Sequence, residues 1–220
     1  MPQAVIFDLD GLLIDSEQVW DDVRQQFVLE SGGTWRPEAQ RAMMGMSAPE
    51  WSRYVRDELG VDQTPERIDE QVVERLIRSY RDHLPMLPGA REAVQRLAAR
   101  WPLGLASSSN REVIDLVLEV ARLERFFKVT VSSEEVAAGK PAPDVYLKTA
   151  RRLGIEPGRC VAIEDSHNGI RSARAAGMPV VAVPNPHFPP GDEALALATT
   201  VAGSLDDLTP ELVESVTGSG

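Results

Sequence analysis

Five short runs of mainly Val, Ile, Leu and Ala, at 4–9, 103–106, 129–131, 160–163 and 180–183, are nearly free of polar residues. A strand with one wet face alternates apolar and polar side chains. Uninterrupted runs of this length therefore predict central parallel strands covered on both faces. Helical spacing fills the intervals: apolar residues recur at Ala90, Val94, Leu97 and Ala98 within 90–100, and at Val113, Leu116, Val117 and Val120 within 112–123. A shorter helix is expected over 168–176, with Ser166 ahead of it as a cap, Gly177 as its stop and Pro179 beyond. Strand and helix in alternation predict an α/β architecture, a doubly wound Rossmann-like parallel sheet.

The alternation breaks at 16–83, where three or four helical patterns follow one another without a strand. This segment reads as an inserted helical cap, leaving 1–15 and 84–220 as the α/β core. Gly32, Gly33 and Gly60 supply helix stops, and Pro37, Pro49 and Pro65 stand where first helical turns would begin. The Pro-rich stretch 184–191 is expected to be irregular, and 217–220 to fray.

A chain of 220 residues can bury a substantial core without disulfides, and its one cysteine, Cys160, reads as a packed thiol in an apolar strand. With 23 Lys and Arg against 34 Asp and Glu, the net charge of −11 repels polyanions, so no nucleic-acid partner is expected. No apolar run approaches the roughly 18 residues of a membrane span, and no basic segment precedes the first apolar run. These features point to a soluble protein of a reducing cytoplasm, and a monomer is compatible with them.

Candidate chemistry gathers at the ends of the expected strands. Asp8-Leu9-Asp10-Gly11 directly follows the first, a pair of carboxylates that taken alone reads equally well as a polar turn. Ser107-Ser108-Ser109-Asn110 follows the second, Gly139-Lys140-Pro141-Ala142-Pro143-Asp144 comes after the third, and Glu164-Asp165-Ser166 follows the fourth. Singly, Ser109, Asn110 and Asp144 pass as helix caps and Lys140 as a solvated loop charge. Together, hydroxyl, ammonium and carboxylates converge on the carboxyl edge of the sheet, where ligands bind in open α/β folds.

In these four segments the sequence resembles the haloacid dehalogenase superfamily, in the branch that includes β-phosphoglucomutase and small sugar-phosphate phosphatases. The matching motifs are Phe7-Asp8-Leu9-Asp10-Gly11, Ala106-Ser107-Ser108, Gly139-Lys140-Pro141 and Ile163-Glu164-Asp165-Ser166, and the likeness covers essentially the whole chain. The resemblance implies a Mg²⁺-dependent phosphatase acting on a small phosphorylated metabolite, with Asp8 as nucleophile and Asp10 as general acid and base. It implies Lys140 as charge balance, Ser107 and Ser108 with Lys140 as phosphate binders, and metal ligation by Asp8, the Asp10 carbonyl and Asp165, with Glu164 in support. Two anions repel, so an attacking carboxylate needs this surrounding positive charge. Asp10 must be protonated for the leaving group and ionised for the attacking water, and a closing cap could tune it by desolvation.

Substrate selection then falls to the cap, with Trp20, Met43, Met44, Met46, Ser47, Trp51 and Tyr54 as candidates that equally suit a helical core. The departures from the family pattern lie here. The mutases carry basic residues where this chain has Met44 and Ala48, and a His where it has Trp20. A phosphosugar mutase is thus the alternative to a phosphatase, disfavoured by those positions unless Arg53 or Arg56 faces the site. A hydrolytic dehalogenase would have little use for Asp10 or for Glu164 and Asp165.

Overall fold

The computed structural model describes residues 1–43 and 46–216. Met44 and Gly45, and the expected frayed end at 217–220, lie outside the described residues. In chain order the elements are β1 (Ala4–Phe7), α1 (Glu17–Glu30), α2 (Ala39–Met43), α3 (Ala48–Asp57), α4 (Pro65–Asp82), α5 (Ala90–Ala98), β2 (Leu103–Ser107) and α6 (Arg111–Ala121). They continue with β3 (Phe127–Ser132), α7 (Asp144–Leu153), β4 (Cys160–Glu164), α8 (His167–Ala175), β5 (Val180–Ala182), α9 (Asp192–Leu195), β6 (Thr200–Val201) and α10 (Pro210–Ser215).

The strands form one sheet in the order β3-β2-β1-β4-β5-β6, paired in parallel throughout. Their apolar runs are explained by the two faces. Val5 and Phe7 of β1 and Val161 and Ile163 of β4 join one hydrophobic cluster with Val94, Leu97, Val113 and Val117 of α5 and α6. The alternate residues Ala4, Ile6, Cys160 and Ala162 join a second with Val145, Ala150, Ile170 and Ala173 of α7 and α8. Every side chain of β1 and β4 is therefore covered, and no polar alternation survives.

Four elements escape the sequence reading: α7, β6 and the short helices α9 and α10. Helix α7 sits behind Pro141 and Pro143 and carries Lys148, Arg151 and Arg152, so its buried stripe of Val145, Tyr146, Thr149 and Ala150 is thin. Strand β6 is a two-residue, half-exposed edge strand with no apolar run to announce it.

Between β1 and β2 the helices α1–α4 occupy part of 16–83 with no strand among the described residues. Ile68, Val72, Val73, Leu76 and Tyr80 give α4 one buried stripe, started by Pro65 and by Thr64, whose hydroxyl accepts from the Arg67 amide at 3.3 Å. The entry and exit of this segment run side by side. Ile14 bridges Met86, the Asp15 amide donates to the Pro85 carbonyl at 2.8 Å, and the Leu87 amide donates to the Leu13 carbonyl at 3.0 Å.

Candidate active site

The chain leaves β1 toward β2 on one side and returns through β4 on the other. The switch of direction therefore falls between β1 and β4, and the carboxyl ends of those strands flank a crevice. Asp8 ends the first, its amide donating to the Ile163 carbonyl at 3.0 Å, and Glu164 and Asp165 end the second.

Lys140 reaches into this crevice from the loop before α7 and is itself buried. Its ammonium donates to Asp8 Oδ1 at 2.7 Å and to Glu164 Oε1 at 2.6 Å. Burial opposes the Lys140 charge, and the two carboxylates outweigh it and raise its pKa. Five donors converge on Glu164: Lys140, the Tyr146 hydroxyl at 2.7 Å, the Asp165 and Ser166 amides at 3.1 and 3.3 Å, and the Ser166 hydroxyl at 3.1 Å. Gly169 of α8 permits that packing, since a Cβ there would lie 1.9 Å from Glu164 Oε1.

Asp8 and Asp165 are less well served. Burial, followed by repulsion from Glu164, pushes Asp8 up to about 8 even against Lys140. Burial, then Glu164 and Asp8, drives Asp165 well above the usual carboxylate range, and its Oδ1 is buried without a partner among the described residues. One oxygen from each of Asp8, Glu164 and Asp165 lies within 4.8 Å of the others. Such a crowded set of oxygens, one orphaned, fits a hard divalent cation. Gly11 makes room for the Asp165 carboxylate: its φ of +77° is left-handed, and a Cβ would meet Asp165 Oδ2 at 2.2 Å. Buried Asn185 holds this turn by donating to the Gly11 carbonyl at 3.1 Å.

Asp10 faces the other way, toward the helices. Its Oδ2 accepts from Ser109 Oγ at 2.7 Å and Ser107 Oγ at 3.2 Å, and its Oδ1 accepts from Trp20 Nε1 at 3.4 Å. Ser107 is fully buried and also accepts from the Ser109 amide at 3.0 Å, whereas Ser108 lines the cavity above Asp8.

That cavity, of about 130 Å³, is lined by Asp8, Asp10 and Lys140 below and by Trp20, Met43, Met46 and Trp51 above. Ser47 and Tyr54 do not line it. Ser47 caps α3 together with Glu50, and Tyr54 packs against the core. Arg53 and Arg56 are turned away, bonded to the Pro49 carbonyl and to Asp57. A cation that the sequence reading did not single out, Arg24, lines the cavity instead. Its guanidinium lies 4.4 Å over the Trp20 ring and 4.8 Å over that of Trp51. Glu17 lines the same cavity. Positions 17, 20 and 24 share one helical face with buried Phe27 and Val28, so two charges on an otherwise apolar stripe were the readable sign. Cys160 is the packed thiol expected, pushed up to about 11 by burial.

No described helix is long and apolar enough to cross a membrane. Hexitol phosphatase B of Escherichia coli is 36% identical over 212 residues, covering 94% of this chain and 94% of that protein. Phosphorylated carbohydrates phosphatase of Thermotoga maritima is 32% identical over 178 residues, 80% and 82% of the two chains. The solved β-phosphoglucomutase of Clostridium difficile shares the fold at a TM-score of 0.84, with 22% identity over 99% of this chain and 97% of that one. The family model described as haloacid dehalogenase-like hydrolase matches residues 5–183, from the first residues of β1 to the end of β5 and so across all four strand-end motifs. With that span matched, the chain belongs to the haloacid dehalogenase-like hydrolases.

Proposed function

We propose that the protein is a Mg²⁺-dependent phosphatase that hydrolyses a small phosphorylated carbohydrate through an aspartyl-phosphate on Asp8. The observation that carries this reading is the buried group of Asp8, Lys140, Glu164 and Asp165, in which Asp165 Oδ1 has no partner among the described residues. The names of the two phosphatase relatives support the substrate class.

Asp8 and Asp165 would hold the metal, together with the Asp10 carbonyl. Glu164, saturated by five donors, orients Lys140 and the Asp165 amide. Bound Mg²⁺ would supply positive charge that offsets the repulsion of the attacking carboxylate and the phosphoryl group. Lys140 works against the rise that burial imposes on the Asp8 carboxyl and meets charge spreading over the transferring group. Ser108, at the cavity wall, binds phosphoryl oxygens, and Ser107 positions Asp10 from beneath. Asp10 gives its proton to the leaving oxygen and then takes one from the water that cleaves the acyl phosphate, leaving inorganic phosphate.

The segment 16–83 acts as a lid, hinged where 14–15 lies against 84–86. The cavity floor comes from the strand ends and its roof from α1–α3, so separating the two admits substrate and rejoining them excludes water. The mutase alternative retains one argument, the Arg24 cation in the roof. It stands beside Glu17 and Asp10, a poor setting for a second phosphate.

A panel of phosphorylated metabolites, assayed for phosphate release with Mg²⁺ and after chelation, tests the assignment. Asp8→Asn should lose at least about a thousandfold in rate with the fold intact. Full turnover after exhaustive chelation, or near wild-type activity of Asp8→Asn free of deamidated protein, would overturn it.

A further inference from the structure

Arg24 is buried to 8% exposure, yet no Asp or Glu among the described residues comes within ion-pair distance of it. Its Nε has no hydrogen-bond partner there. A desolvated guanidinium is ordinarily paired, because isolated burial of a charge is costly. Here it lies against two indole rings that meet edge to face instead. Ring contacts satisfy none of its N–H groups, and Arg24 lines the cavity, where those donors can meet a ligand. Burial pulls its pKa down to about 10, and nearby Glu17, Asp10 and Asp21 act against that fall, so Arg24 is cationic at neutral pH.

We propose that Glu17 and Arg24 form an acceptor and donor pair that reads hydroxyl groups on the leaving group, selecting neutral polyhydroxylated alcohols over anionic or plain alkyl ones. This rests on the phosphatase reading and assigns its specificity to two residues one heptad apart on α1. Both line the cavity that holds Asp8, and Trp20 between them donates to Asp10, so the pair lies on the side where the leaving group must emerge.

Hydroxyls suit the pair because each can donate to Glu17 and accept from Arg24. A carboxylate or second phosphate satisfies Arg24 but confronts Glu17 in the same cavity. An alkyl chain packs on Met43, Met46 and the indoles while leaving both polar groups unsatisfied. Sites of this kind discriminate strongly against an analogue that lacks the hydroxyl.

Three substrates with one skeleton provide the test: sorbitol 6-phosphate, 6-phosphogluconate, whose carboxylate replaces the terminal hydroxymethyl group, and hexyl phosphate. The wild-type enzyme with Mg²⁺ should prefer the first by tenfold or more in kcat/KM over each of the others. In Arg24→Met the ratio of sorbitol 6-phosphate to hexyl phosphate should fall at least tenfold, mainly through KM, with partial recovery in Arg24→Lys. Glu17→Gln should lower the same ratio while narrowing the bias against 6-phosphogluconate, and it guards against a misfolded Arg24→Met, which circular dichroism would reveal. Equal losses on all three substrates in folded variants would reduce the pair to a structural role and overturn the inference. Preference for 6-phosphogluconate would replace it with an anion site. Hydrolysis of none of a wide phosphate panel would remove the phosphatase reading, and this inference with it.

Discussion

Replacing Glu17 by Gln should stabilise the protein, and by an amount that depends on pH. Burial first, then the neighbouring Asp10 carboxylate, with Arg24 opposing, raise the Glu17 carboxyl from 4.5 to about 7. A folded-state pKa above the unfolded one means that the folded chain binds this proton more tightly. Stability from this group is therefore fully present below 4.5, declines as pH rises, and is lost above about 7. At about 1.36 kcal/mol for each pH unit, the ionised carboxylate weakens the fold by at most about 3 kcal/mol, and by about 2 after allowance for its contact with solvent. Gln keeps the shape and cannot ionise. Urea unfolding of both proteins in chelator should give nearly equal stabilities at pH 4.5. At pH 8 the variant should gain about 2 kcal/mol, a rise in Tm of roughly 4–8 °C for a chain of this size. Other titrating groups are common to both proteins and cancel in the difference. A gain as large at pH 4.5 as at pH 8, or none at pH 8, would refute the reasoning. If the gain appears together with loss of hydroxyl discrimination, the native carboxylate is retained for function at the expense of stability.

Other perturbations have equally definite outcomes. Asp165→Ala should raise the Mg²⁺ concentration needed for activity strongly, and an unchanged metal titration would remove Asp165 from the ligands. Gly169→Ala would put a Cβ 1.9 Å from Glu164 Oε1, so α8 must shift; thermal unfolding should show a loss of at least about 2 kcal/mol, and wild-type stability would contradict the packing described. With a hexose 1-phosphate and Mg²⁺, phosphorus NMR should show inorganic phosphate accumulating even when a bisphosphate primer is added. Stoichiometric 6-phosphate with little free phosphate would promote the mutase reading.

The strands and the floor of the cavity were legible because their signals are local. Val5-Ile6-Phe7 must be a doubly covered strand, and Asp8 must then project from its end. Lys140 and Glu164 announce themselves only as polar residues after strands; the parallel register that joins β1 to β4 sets Glu164 beside Asp8, and the loop before α7 brings Lys140 to both. The roof was harder. Trp20, Met43, Met46 and Trp51 have a spacing that suits either a core or a cavity wall, and here they serve as both. Arg24 was missed because a charged residue in a helix is usually solvated; its fate depends on Trp51, from a different helix, adding a second ring beside Trp20. Tyr146 and Asn185 were invisible for a similar reason, since their partners Glu164 and Gly11 lie 18 and 174 positions away.

The choice of partners for Asp10 has a consequence for speed. Backbone amides or an arginine at its Oδ2 would favour one protonation state, because they only donate. Ser107 and Ser109 present hydroxyls, which can donate to a carboxylate and, by rotating a single O–H bond, accept from a carboxylic acid. In the proposed mechanism, Asp10 can thus change state twice in each turnover while the heavy atoms around it stay where they are. The polarity of the network reverses through light rotors alone, and the scaffold that aligns Asp8 need not be rebuilt between the two half-reactions.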